Sequence, residues 1–272
     1  MKYYRLSMMI TLLLSNLQVN AFWNKFVDTI STKINNTTET ITHREFQKVK
    51  HLQLNNEQGS IIINSWQQNS IAIEVITTCP ELSCKNITID MEEIDDTVKI
   101  NTTFNDPKLK GTVLFNILVP KNTHLTIKTK QGDIVIKDVN GALDIETIQG
   151  DIKILNPHRD LNAKNMNGSI IIRTDKIESD QTFTIESDKG DVEFYTTQQI
   201  NTYLKAQALH GKVTCDLLVN LDNSTTKLDA TAWKKFRQVA HGSIGLSSSN
   251  LTIHAHNGSI MILPYTKQND IF

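Results

Sequence analysis

The features on which chemistry usually rests are scarce in this chain. Its 272 residues include three cysteines, five prolines, three tryptophans and an aromatic fraction of 6%. Three cysteines exclude a disulfide-dense scaffold, and so few aromatic rings leave little from which to build sugar-stacking platforms. Neither sign of charge prevails, with 28 Lys and Arg against 29 Asp and Glu and a formal net charge of -1. Only five of the cations are arginine (Arg5, Arg44, Arg159, Arg173 and Arg237). That balance lacks the basic footprint a phosphate backbone requires, so nucleic acid is excluded as a partner. There is no Gly-x-Ser-x-Gly, no His-Glu-x-x-His, no phosphate loop and no dinucleotide fingerprint. No apolar run reaches the roughly 20 residues that cross a bilayer as a helix. No transmembrane span is therefore expected in the mature chain.

What is present begins at the N-terminus. Lys2 and Arg5 precede a mostly apolar run from Leu6 to Leu17, and Val19-Asn20-Ala21 then offers small residues before Phe22. This three-part pattern predicts a secretory signal over residues 1–21 and an exported chain, placed in the periplasm, at the cell surface or outside the cell. Export changes how the cysteines read. Cys79 and Cys84 bracket a short Pro-Glu-Leu-Ser loop that closes as a local disulfide in an oxidising compartment or stays as two free thiols. No His or Cys cluster stands beside them to complete a metal site. Cys215 falls on an apolar strand position and reads as a small buried hydrophobe.

The dominant signal is a repeat. Eight of the 11 glycines stand in one context, glycine followed by a polar residue, an apolar residue, any residue and a second apolar residue. They are Gly59, Gly132, Gly150, Gly168, Gly190, Gly211, Gly242 and Gly258. Seven residues before them stand Leu52, Leu125, Leu143, Leu161, Phe183, Leu204 and Leu251, and five before them stand Leu54, Ile127, Ile145, Ala163, Ile185, Ala206 and Ile253. The Gly242 copy departs, with Lys235 and Arg237 at those positions. Apolar residues at alternate positions on both sides of a glycine predict two half-buried strands meeting at a corner. Asp or Ser after the glycine suits a corner at which a short side chain bonds freed backbone.

From Gly132 onward the glycines are spaced by 18, 18, 22, 21, 31 and 16 residues. Near-constant spacing with tolerated insertions is the habit of stacked coils. Asn140-Gly141, Asn167-Gly168 and Asn257-Gly258 are hairpin dipeptides and keep an antiparallel meander in view. The constant apolar phase over many copies favours an all-β, single-chain β-solenoid, parallel β-helix-like, with two or three short strands per coil.

The segment Phe115 to Ile134, with Val119-Pro120 leading into Thr129-Lys-Gln-Gly132-Asp-Ile, resembles the core of the bacterial putative-adhesin family of unknown function. Gly59-Ser-Ile-Ile-Ile-Asn-Ser-Trp66 is similar to that family's N-terminal opening. The likeness spans roughly residues 45 to 263. It implies a β-solenoid preceded by a β-rich part, in envelope-associated or secreted proteins, and brings no catalytic residues.

The expected organisation is a signal peptide over 1–21, an amphipathic helix and polar linker over 22–44, a β-rich part over 45–120, solenoid repeats over 121–265 and a tail over 266–272. The helix rests on Phe22, Trp23, Phe26, Val27, Ile30 and Ile34 at helical spacing. Strands are predicted at 60–64, 70–76, 86–91, 97–103 and 113–119. The segment from Thr226 to Ala240, with Trp233 and Phe236, reads as an insertion packing on the neighbouring coil.

Three constellations carry residue types suited to chemistry. Asp133, Asp151 and Asp191 stack along one corner, where they would hold Ca²⁺, act as acid and base, or merely cap the turns. Ser169 and Lys212 break that row and favour capping. His210, His241, His254 and His256 gather near the C-terminus without a carboxylate or Cys at ligand spacing. Asn86, Asn101, Asn223, Asn250 and Asn257 open Asn-x-Ser/Thr triplets. No catalytic, cofactor or metal residues are expected. The function predicted is non-enzymatic: adhesin-like binding or scaffolding of an envelope or extracellular protein or glycan. The alternatives are a glycan-active β-helix enzyme and an envelope sensor acting through a membrane-protein partner.

Overall fold

Alternation on either side of each glycine becomes two strands per coil. In one repeat, β11 (Leu143–Gln149) buries Leu143 and Ile145, Gly150 makes the corner, and β12 (Ile152–Leu155) buries Ile152 and Ile154. The next coil is β13 (Leu161–Asn165) and β14 (Ile170–Thr174). It stacks in parallel on the first, with Leu143 opposite Leu161, Ile145 opposite Ala163 and Ile152 opposite Ile170. Asn167-Gly168 therefore joins strands of two different sheets and closes no hairpin, which rules out the meander. The chain is an all-β solenoid, seen in a computed structural model that describes residues 28–34, 37–80, 84–106, 108, 110–222 and 238–265.

Two 11-stranded sheets face each other across the core. The pre-glycine sheet contains, beside β11 and β13, β9 (His124–Gln131), β3 (His51–Gln58), β7 (Thr97–Phe104) and β6 (Ile87–Ile94) toward one end. Toward the other it contains β15 (Thr182–Lys189), β21 (Asn250–Asn257), β17 (Thr202–Ala208), β20 (Val239–Ile244) and β19 (Asn220–Leu221). The post-glycine sheet runs from β1 (Asp28–Ile34), β2 (Thr37–Gln47) and β5 (Ser70–Pro80) through β8 (Thr112–Pro120), β4 (Ile61–Trp66) and β10 (Ile134–Lys137) to β12 and β14. It continues through β16 (Val192–Thr196) and β22 (Ile260–Pro264) to β18 (Val213–Cys215). Ile61, Ile134, Ile152, Ile170, Val192 and Ile260 form one fully buried row. Each such side chain contributes about 1.5–3 kcal/mol relative to exposure.

The corners stack as tightly as the core. Gly150 has φ +138°, and a Cβ placed there would lie 2.2 Å from the Gly132 carbonyl oxygen. A side chain is excluded both by the backbone conformation and by the coil beneath. Three residues before the glycines runs a buried polar row that bonds these corners. Asn165 Nδ2 donates to the Gly150 carbonyl at 2.7 Å, Asn56 Nδ2 to the Gly59 carbonyl at 2.8 Å, and Ser187 Oγ to the Gly190 carbonyl at 3.0 Å.

Coil order in space departs from chain order at both ends. The coil of β3 and β4 lies between that of β7 and β8 and that of β9 and β10. At the far end the coil of β21 and β22 lies between that of β15 and β16 and that of β17 and β18. At each end, then, a coil from inside the sequence sits outermost and an outlying coil is tucked one place in.

Several expectations are corrected. The amphipathic helix and linker expected over 22–44 are not formed in their described part: Asp28–Ile34 is strand β1 and pairs antiparallel with β2, whose strand begins at Thr37. Ile30 also fits a period of two, and an adjacent strand edge supplies the backbone partners that decide for extended chain. The boundary expected at 120–121 does not separate two sheet systems, because β3 and β4 pair in parallel with β9 and β10 across it. Gly242 is no corner. It lies within β20, antiparallel to β17 and opposite Leu204. The five strands predicted between 60 and 119 correspond to β4, β5, β6, β7 and β8. The segments 1–21 and 266–272, and all but residues 238–240 of the Thr226 to Ala240 insertion, lie outside the described residues.

Candidate binding face

Outward-pointing residues of a stacked sheet form rows, because the parallel register places each repeat position beside its equivalent. Four residues before the glycines, in spatial order, stand Asn55, Lys128, Glu146, Lys164, Glu186, His254 and Gln207. Opposite charges alternate along this row. Lys128 Nζ meets Glu146 at 2.7 Å and Lys164 Nζ meets Glu186 at 3.0 Å. The hydrogen bond to Glu146 raises the Lys128 pKa above the ordinary lysine value. In the neighbouring row, two residues before the glycines, Lys130 bonds Glu57 at the N-terminal end, and this bond holds the Glu57 carboxyl below the usual range.

Beyond Lys130 this row continues with Ile148, Met166, Asp188, His256 and Leu209, within or one residue past the ends of β11, β13, β15, β21 and β17. Ile148, Met166 and Leu209 are 45%, 53% and 45% exposed. Ile148 and Met166 adjoin in this row, and adjoining large apolar side chains presented to water mark a contact surface more often than scattered singletons do. Between the two rows lies a shallow groove of about 450 Å³, lined by Lys164, Met166, Glu186, Asp188, His256 and Leu209 among others. The His256 ring stands edge-on to His210 with centroids 5.3 Å apart.

The outer face of the post-glycine sheet is tied to itself. Tyr195 donates its hydroxyl to Glu193 Oε2 at 2.6 Å, which pushes its pKa up to about 12. The Arg173 guanidinium lies 4.6 Å above the Tyr265 ring. Ile62, Val135, Ile171 and Met261 on this face are half-buried.

The corner carboxylates, the histidines and the cysteines fall into other roles. The Asp133 carboxylate accepts the Asp151 backbone N–H at 2.9 Å, Asp151 accepts that of Ser169 at 2.8 Å, and Asp191 accepts that of Ser259 at 2.8 Å. Each carboxylate caps the corner of the next coil in space, and the break at Ser169 costs nothing because the row is a chain of separate caps. His254 and His256 reach the groove, and His210 stands against His256, whereas His241 sits on β20 opposite Lys205. Among the described residues no three His, Cys, Asp or Glu side chains are placed to hold a metal ion. Cys79, at the end of β5, is disulfide-bonded to Cys84, with Cα atoms 5.4 Å apart. Cys215 is a half-buried free thiol whose pKa burial raises.

The groove was missed by motif reasoning. Its signal, Lys128, Glu146, Lys164 and Glu186 at a constant offset from the glycines, stands in the sequence. Its completion by His254 and His256 ahead of Gln207 and Leu209 does not, because that order exists only in space.

Fold and face together define a two-sheet β-solenoid with a groove on the outer face of its pre-glycine sheet. The chain matches the Toastrack DUF4097 family over residues 11–254 and belongs to that family. Among solved structures it is similar to a putative cell adhesion protein of Clostridium sporogenes, at 16% identity and TM-score 0.50, covering 84% of this chain and all of that one. It is also similar to a putative adhesin of Bacteroides fragilis, at 14% identity and TM-score 0.41 over 83% and 97% of the two chains. A putative lipid binding protein of Parabacteroides distasonis follows, at 10% identity and TM-score 0.25 over 83% and 97%. No curated protein matches.

Proposed function

We propose that the chain is exported and binds an envelope or extracellular partner, protein rather than glycan, through the outer face of its pre-glycine sheet, without catalysing a reaction. The observation that carries this reading is the groove, where exposed Met166 and Leu209 lie among charged side chains. The signal pattern over residues 1–21 supports export, and the Cys79–Cys84 disulfide suits an oxidising compartment. The name of one solved structure it is similar to, a putative cell adhesion protein, accords with binding at a surface. Glycoside cleavage calls for two carboxyl groups working as a pair across a cleft. Glu146 and Glu186 are instead each held by a lysine, which favours binding over hydrolysis.

The test is a photo-crosslinking residue placed at Met166 and, separately, at Val135 on the opposite outer face, in cells that make the protein. Adducts from position 166 alone, in the envelope or external fraction and on a chain beginning at Phe22, are expected. Adducts from neither position, or a chain retained in the cytoplasm, reject the reading.

A further inference from the structure

We infer that the groove receives an extended segment of a partner polypeptide carrying lysine or arginine, a step that rests on the face being a binding face. The argument begins with which charges are already satisfied. Of the carboxylates lining the groove, Glu186 is bound by Lys164 and Glu146 by Lys128. Asp188 has no ion pair among the described residues, and it lies in the same row as Met166 and Leu209. The lining holds three carboxylates against the single cation of Lys164. The groove is thus acidic, with its uncompensated charge at Asp188.

An anionic ligand would meet that excess directly. A neutral sugar would find no Trp, Tyr or Phe among the lining residues on which to stack. A lysine or arginine side chain matches both components, since its alkyl stem covers apolar surface while its cationic head stays polar. With the stem over Met166, the head reaches the row position of Asp188 on the next strand in space, β15. Leu209, at the far end of the row, offers a place for a second, apolar side chain.

Geometry sets the length. The groove crosses β11, β13, β15, β21 and β17, four gaps of about 4.8 Å and so about 19 Å. An extended chain advances about 3.3 Å per residue, so about six residues span it. The segment lies along the solenoid axis, across the strands.

The full mature chain is titrated into two fluorescein-labelled hexapeptides, one alternating lysine with leucine and one alternating glutamate with leucine, and anisotropy is read. The basic peptide is expected to bind and the acidic one not. Asp188→Lys is expected to weaken binding of the basic peptide by about tenfold or more, because like charges then face each other in the groove. Glu92→Lys makes the same charge change on β6 at the far end of the sheet and is expected to leave binding within about twofold, the range of a distant screened charge. Equal binding of both peptides, equal loss with Glu92→Lys, or displacement by glucosamine oligomers at lower concentration than by the basic peptide would each overturn the inference. An unchanged circular dichroism spectrum confirms that Asp188→Lys is folded. Crosslinking from position 166 in cells, with no binding of the basic peptide, overturns this inference and leaves the binding-face reading standing.

Discussion

Gly150 carries two demands at once, a φ of +138° and a carbonyl oxygen 2.2 Å from where a Cβ would stand. Gly150→Ala must shift the Gly132 backbone or open the corner, and is expected to destabilise the chain by at least about 2 kcal/mol. Glu146→Ala, on the outer face of the same coil, is expected to change stability by no more than about 1 kcal/mol, the scale of an exposed ion pair. Urea unfolding of the two variants checks the contrast. His124 makes a second residue-scale prediction. Burial, and then the neighbouring His51 and Arg159, lower its pKa below 6.5, and its Nδ1 accepts the Ala142 N–H at 3.1 Å. Because the folded chain resists protonation there, the unfolded chain takes up the proton first as the pH falls. Above the ordinary histidine value nothing is lost; below it, stability falls until the depressed folded pKa is passed. Urea midpoints measured between pH 7.5 and 5 are expected to drop less in His124→Gln than in the parent chain.

For elements, the consequential finding is the order of coils. In an ordinary solenoid, deleting the last coil shortens the stack and leaves the rest paired. Here β21 and β22 are interior, each with a parallel partner on both sides. Deleting residues 250–265 therefore strips β17 and β18 of these partners and bares the edges of β15 and β16. Hydrogen exchange on that truncated chain is expected to show lost protection through β17, β18 and β20 as well as at the new terminus. Protection of β17 and β18 at parental levels would mean that the coil restacks directly on β15 and β16. The strands themselves were legible. Five predicted between residues 60 and 119 match observed strands, because period-two alternation is a local property. Of the helix expected from Phe22 to Ile34, the described part, Asp28–Ile34, is strand for the complementary reason. Six apolar residues fit a helical face, but pairing with β2 decided the described part, and that pairing is absent from any local window.

The whole molecule is a nearly neutral solenoid whose surfaces are mostly self-satisfied. Carboxylates at the corners cap neighbouring coils, the outer face of the post-glycine sheet is bonded within itself, and the exposed apolar side chains of the groove row stand on the other face. A net charge of -1 provides little long-range steering. Recognition thus depends on the local pattern at the groove. By itself the sequence determined the all-β class, the strand on either side of each repeat glycine and the buried rows, since each follows from short-range alternation and from the one residue lacking a side chain. That a coil holds two strands and not three was settled by the structure. Only the tertiary structure decided which coil lies beside which. The repeat units are near-equivalent, so any of them satisfies the same ladder, and the choice rests on loop closure and end packing across the whole chain. That choice sets His254 and His256 beside Glu186 and Asp188, and so makes the groove.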